Sequence, residues 1–207
     1  MSNPARIPTV HAPHAPRHVL TPLHNWLARM SAAGTPFEDG QQFQMGWMWF
    51  RIGIDSRGAR VTAPRVGAPA LCYVEDCSDA LQILASQQSI LSKYNVESAP
   101  CDCTQTALIV RDLGTCEKPF IDRLAHQMDG RTGWYIGAHD SELDVTQPEN
   151  LKLVSIWEVL SRRPELAPYL LLPPGWQVSF HDEPVVMHQR QVVEPHSVRR
   201  GVLRAAG

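Results

Sequence analysis

Five cysteines and nine histidines are the residues of this 207-residue chain with the widest chemistry open to them. Cys101 and Cys103 flank Asp102, while Cys72, Cys77 and Cys116 stand apart. Zinc usually takes paired ligands two to four residues apart, which lets two thiolates meet one tetrahedral ion. A Cys-x-Cys pair is less typical, and a free cysteine more often fills a core as a small hydrophobe. His11, His14, His18 and His24 fall in a proline-rich stretch that has nothing to hold them as a rigid ligand set. No metal and no cofactor are expected.

Hydrolytic machinery is equally hard to find. There is no nucleophile elbow, no His-Glu-x-x-His helix and no phosphate loop. His126, His139 and His181 could reach a serine or cysteine only through the fold, and His139-Asp140 is the most suggestive neighbouring pair. The chain therefore reads as a non-enzyme. A small enzyme using a Cys or His-Asp site stays open as one alternative, and a regulatory protein-binding module as another.

The strongest local signal is electrostatic. Residues 132–150 hold Asp140, Glu142, Asp144 and Glu149 and no Lys or Arg. Carboxylates gathered on one loop raise a negative potential that steers a basic partner and pairs with its Arg or Lys. Alternating acids at 140, 142 and 144 also suggest calcium. An EF-hand loop counted from Asp140 would need glycine and glutamate where Val145 and Leu151 stand, which argues against that ion.

Charge is uneven along the chain. Residues 1–25 and 183–207 each carry two more cations than acids, so the middle must hold six more acids than cations to reach the net −2. An acidic body disfavours direct nucleic-acid binding and suits a basic protein partner. No apolar run approaches the roughly 20 residues of a membrane span. The odd cysteine count and the absence of a basic-then-apolar start point to the cytoplasm and away from a secreted disulfide framework.

The elements that must position these residues follow from patterning. Residues 43–54 are aromatic and β-branched enough for one strand, residues 55–58 supply turn chemistry, and residues 59–62 return. Residues 69–74 form a third apolar run. Asp76 and Ser78 offer capping oxygens before Leu81, Leu84, Ala85 and Leu91 recur at helical spacing. Residues 107–110 read as a buried strand. A helix capped by Thr115 would carry Phe120, Ile121, Leu124, Ala125 and Met128 and stop at Asp129-Gly130.

Residues 133–137 read as a strand, 138–150 as the polar loop and 151–154 as extended chain. Ser155 and Glu158 have capping-box spacing for a short helix that Pro164 ends, and residues 176–180 alternate as a final strand. The fold class is α+β, with mixed or antiparallel sheets, short helices and two subdomains joined near residues 100–106. The expected layout is a disordered tail (1–25), an N-terminal α+β subdomain (26–103), a C-terminal α+β domain (104–182) and a loosely ordered tail (183–207). Gly46-Trp47 and Gly133-Trp134 hint at a duplication, though their surroundings do not align.

One ordered series of residues looks familiar. Gly133, Trp134, Tyr135, Ile136 and Gly137 are followed by Asp140 and Glu142, then by Pro148, Glu149 and Asn150. Leu153, Ile156, Leu160, Leu171, Pro173 or Pro174, Gly175 and Phe180 complete it. Over about residues 108–180 this resembles a bacterial immunity-protein domain of polymorphic-toxin and type VI secretion gene pairs, formerly a domain of unknown function. The extended stretch that the family often carries before its Gly-Trp is at best a remnant here, at 128–131, and residues 26–103 fall outside the likeness.

The resemblance implies a protein that binds and neutralises a co-encoded antibacterial toxin by steric and electrostatic occlusion, with no catalytic residues to transfer. A nuclease delivered by a type VI apparatus suits the acidic body, because a basic nucleic-acid cleft would accept an acidic inhibitor. The expected partner is thus a cognate, basic toxin, a DNase among the candidates, with no direct nucleic acid and no membrane. The expected contact residues are Tyr135, His139, Asp140, Glu142, Asp144 and Glu149. Trp134 and Trp157 are assigned to the core. Reversing Asp140, Glu142 and Asp144 to Lys is expected to weaken toxin binding and leave the fold intact.

Overall fold

The chain folds around two sheets that meet in one apolar interior. A computed structural model describes residues 7–124 and 131–195. The first sheet is antiparallel, in the order β1 (Gln42–Met45), β2 (Met48–Asp55), β3 (Gly58–Pro64) and β4 (Tyr73–Val74). Helices α1 (Arg17–Ala32) and α2 (Ser78–Tyr94) flank it in sequence. The second sheet contains β5 (Thr106–Val110), β6 (Pro119–Arg123), β7 (Arg131–Ala138), β8 (Leu151–Ser155), β9 (Trp176–Ser179), β10 (Val185–His188) and β11 (Gln191–Val192). Its spatial order is β11-β10-β9-β6-β7-β5-β8, antiparallel except for the β5–β7 pair. Helix α3 (Ile156–Arg162) and 3-10 turns at Pro148–Asn150 and Pro164–Tyr169 complete an α+β fold.

Several local expectations hold for the reasons given. Asp76 Oδ1 accepts from the Ser78 amide at 2.9 Å as α2 begins, and Asn95 closes that helix in the left-handed region (φ 50°). Ser155 Oγ accepts from the Glu158 amide at 3.1 Å, while the Glu158 carboxylate lies against Lys152 and Arg162. Trp134 and Trp157 are both buried.

Other expectations are corrected. Residues 43–54 are not one strand, because Gly46 and Trp47 turn the chain back between β1 and β2. Gly46 adopts φ +59°, and a Cβ there would lie 2.6 Å from Leu84 Cδ1, so both conformation and space demand glycine. The helix expected over Phe120 and Ile121 is strand β6. Its apolar residues fit helical spacing, but β7 and β9 pair with it on both sides, and that non-local ladder overrides the local periodicity. Ala125, His126 and Met128 lie outside the described residues.

Within residues 7–25 and 183–195 the chain is more ordered than composition suggests, and the rest of both expected tails lies outside the described residues. Thr9 bridges Arg60, His11 bridges Asp76, and α1 buries Val19, Leu23 and Leu27 along one stripe. That stripe supplies the burial which a count of prolines and histidines misses. Beyond residue 183, β10 and β11 extend the second sheet, with Val186 in the core, so β9 is not the last strand.

The two sheets share one core cluster running from Val19 to Val186. Arg123 locks the junction. Its side chain is fully buried, and its guanidinium donates to the carbonyls of Leu172 (2.7 Å), Pro100 (2.5 Å), Thr132 (3.2 Å), Leu170 (3.4 Å) and Ala99 (3.5 Å). It also lies 5.4 Å from the centre of the Trp134 ring, whose indole N–H donates to Leu170 O at 3.1 Å. Burial pulls its pKa below the ordinary arginine value. One cation among backbone carbonyls thus ties together the α2–β5 linker, the start of β7 and the segment before β9.

Candidate functional site: an open sheet face and its acidic rim

Because side chains alternate along a strand, the cross-strand register sorts the seven-stranded sheet into two faces. On the inner face Val186, Val178, Ile121, Ile136 and Ile109 stand side by side, and all are buried in the core. The outer face carries Val192, Met187, Gln177, Asp122, Tyr135, Leu108 and Leu153 in one row across all seven strands. Every member of this outer row is partly or fully exposed, with Leu153 at 46% and Val192 at 62%. Leu108, Phe120, Tyr135 and Met187 are partly buried but lie outside the core cluster.

Aromatic rings gather toward one end of this face. Phe120 meets Tyr135 edge-on at 5.7 Å and His139 at 4.8 Å, and His139 stacks on His181 at 5.5 Å. Close packing is possible because Gly137 has no side chain: a Cβ there would lie 2.5 Å from Phe120 Cζ. His139 Nε2 is 3.1 Å from Ser179 Oγ. Desolvation raises the Tyr135 pKa.

The acidic loop forms the rim, and its carboxylates have different jobs. Asp140, though exposed, is held by the backbone, accepting from the Glu117 amide at 2.7 Å and the Lys118 amide at 3.1 Å. Those backbone donors hold its pKa below the usual carboxylate value. Asp144 Oδ1 accepts from the Thr146 amide and hydroxyl, and that hydroxyl bond leads the causes that lower its pKa. Glu142 and Glu149 are exposed, and their side chains have no partner among the described residues. Arg111 instead donates to the Glu149 backbone carbonyl.

The expected contact set therefore splits. Tyr135 and His139 face the open sheet, Glu142 and Glu149 point into solvent, and Asp140 and Asp144 hold the backbone. Because Asp140 and Asp144 organise turns, reversing Asp140, Glu142 and Asp144 together is expected to disturb the fold as well as the charge. For Asp140, a carboxylate with a lowered folded-state pKa stabilises the fold above its unfolded pKa of about 4, and that support is lost as pH falls through the folded value. Asp140→Ala is thus expected to lower the melting temperature at pH 7, with the gap to the parent closing on acidification. Thermal melts from pH 7 to pH 3 check this, and a gap independent of pH would contradict it.

The Cys101–Cys103 pair and the described histidines singled out by the sequence differ in their settings. Burial pushes the Cys101 thiol up to about 12 and the Cys103 thiol up to about 11, the reverse of an activated nucleophile. Cys103 borders a cleft of about 520 Å³ with Leu71, Trp157 and Arg162. His139 and Asp140 do not work as a pair: the histidine bonds Ser179 and the carboxylate bonds the turn at 117–118. His11 and His14 are fixed through their backbone, to Asp76 and to Ser78 Oγ. Among the described residues no group of three or more His, Cys, Asp or Glu could hold a metal ion, and no helix is long and apolar enough to cross a membrane.

Patterning pointed to the rim loop but missed Asp122 and Arg123, because both fell in the segment read as helix. The available signal was alternation: Phe120 and Asp122 on one face, Ile121 and Arg123 on the other.

What these elements assemble is a wide sheet face edged by exposed carboxylates. The chain belongs to the Imm33-like domain family, whose model matches residues 86–189, half of the chain. The family name marks it as one of immunity proteins. The match runs from the middle of α2 through β10, so it includes the whole outer face except β11. No curated protein and no solved structure matches the chain.

Proposed function

We propose that this protein neutralises a co-encoded antibacterial toxin by binding it in the cytoplasm of the producing cell, without chemistry of its own. Membership of an immunity-protein family supports the inhibitor role. The observation that carries the charge of the partner is the rim loop, where Glu142 and Glu149 are exposed without partners and no Lys or Arg intervenes from residue 132 to 150. Such a loop competes for a basic surface, and a nuclease active cleft is one, since it must hold phosphate. A type VI-delivered nuclease is therefore the toxin class that this reading favours.

The test is co-expression of the toxin candidate encoded beside this gene, with and without this protein, scored by survival. Rescue by the parent chain is expected. The double variant Glu142→Lys/Glu149→Lys should bind about tenfold more weakly and show a flatter salt dependence, because rim charges act mainly on association. Death of the cells despite abundant parent protein would refute the inhibitor role.

A further inference from the structure

We propose that the open outer face of the seven-stranded sheet is the docking surface for the toxin, with a basic side chain of the toxin inserted between Phe120, Tyr135 and Met187 to meet the Asp122 carboxylate. This rests on the inhibitor reading above and adds where the toxin sits and what it must present.

Sheets with one face in water ordinarily alternate apolar-in and polar-out. The outer row departs from that rule, since Val192, Met187, Tyr135, Leu108 and Leu153 make five of its seven members apolar or aromatic. Among the described residues these side chains join no core. Seven strands span about 29 Å at the usual inter-strand spacing. That breadth suits a protein interface of roughly 800 Å² per partner better than a small ligand. Tyr and Phe are also among the side chains enriched at such surfaces.

Asp122 sets the charge of the occupant. It is the central residue of the row, flanked by Tyr135 on β7 and Gln177 on β9. It is partly buried, with no hydrogen-bond or ion-pair partner for its carboxylate among the described residues. Arg190, in the β10–β11 turn, acts on it only from beyond ion-pair range, and desolvation raises its pKa overall. A partly buried carboxylate with no cation in contact, and only Arg190 acting on it from a distance, weakens the free protein and rewards a partner that supplies a closer one. The exposed carboxylates of the rim have the same sign, so steering at the edge and capture at the centre select the same cationic surface.

Calorimetric titration of the purified full chain with the neighbour-encoded toxin, inactivated by mutation, tests this. Asp122→Arg and Met187→Arg should each weaken binding about 100-fold, and Asp122→Asn about tenfold. Asp122→Asn should also melt no lower than the parent, because it removes a charge that the free fold disfavours; a lower melting temperature would mean that Asp122 serves the fold and would overturn the proposal. Toxin that binds the parent and all three variants equally would overturn the docking face while leaving the inhibitor role standing. Toxin that never binds or is never neutralised by the parent would remove the inhibitor role and this inference together. Light scattering should find the free parent monomeric; a dimer that Met187→Arg dissociates would assign the face to a second copy of this chain instead.

Discussion

Arg123→Met is expected to cost the fold more than about 3 kcal/mol, read as a lower urea midpoint with an unchanged slope. The sign is not obvious, because replacing buried ions with apolar groups of similar size is often neutral or stabilising. Those cases remove both partners. Here the partners are backbone carbonyls of Ala99, Pro100, Thr132, Leu170 and Leu172, which no substitution at 123 can take away. Leu170 O keeps the Trp134 indole N–H, and the Ala99 and Pro100 carbonyls are only part-buried. The cost therefore falls mainly on Thr132 O and Leu172 O, at about 1–3 kcal/mol for each carbonyl left unpaired in the interior, and relief from burying the cation offsets only part of that. Arg123→Lys should recover part of the loss, since an ammonium has three donors and no planar fork. A midpoint for Arg123→Met within error of the parent would show that water replaces the guanidinium and that this hub is dispensable.

Leu23→Ala is expected to destabilise the protein by about 3 kcal/mol, the ordinary range for emptying a core leucine site. Leu23 is fully buried between Val19 and Leu27 on the inward stripe of α1. The neighbouring exposed position supplies the control: Thr21→Ala should change stability by less than about 0.5 kcal/mol. Thermal melts of the two variants separate a docked helix from an ornamental one. If Leu23→Ala melts with the parent, residues 17–32 contribute nothing to the common core.

Much of the architecture was legible because it was local. The hairpin at residues 55–58, the Asp76 bond that precedes α2, the cap at Ser155, and the strands around Leu108 and Trp134 follow from turn chemistry and patterning within a few residues. Errors arose where distant chain decides. Strand β6 exists because β7 and β9 bracket it, and β9 lies more than fifty residues away in sequence. The N-terminal segment looked unfoldable by composition, yet three aliphatic residues at helical spacing suffice to dock it. The rim loop was legible as charge, but counting carboxylates could not separate Asp140, which organises a turn, from Glu142, which faces water.

The strand order has a further consequence for how the molecule is made. Until residue 179 has left the ribosome, β6 has a neighbour on one side only, and the edge that β9 will cover presents unpaired amides and carbonyls beside the apolar Ile121. Such an edge is an invitation to pair with another nascent chain, and a contact closed over so long a loop forms late. The early sheet of hairpins β1 to β4 has no such wait. Synthesis thus divides into a rapid opening and a delayed closure, and a ribosome stalled between them would release a sticky fragment rather than a half-finished fold.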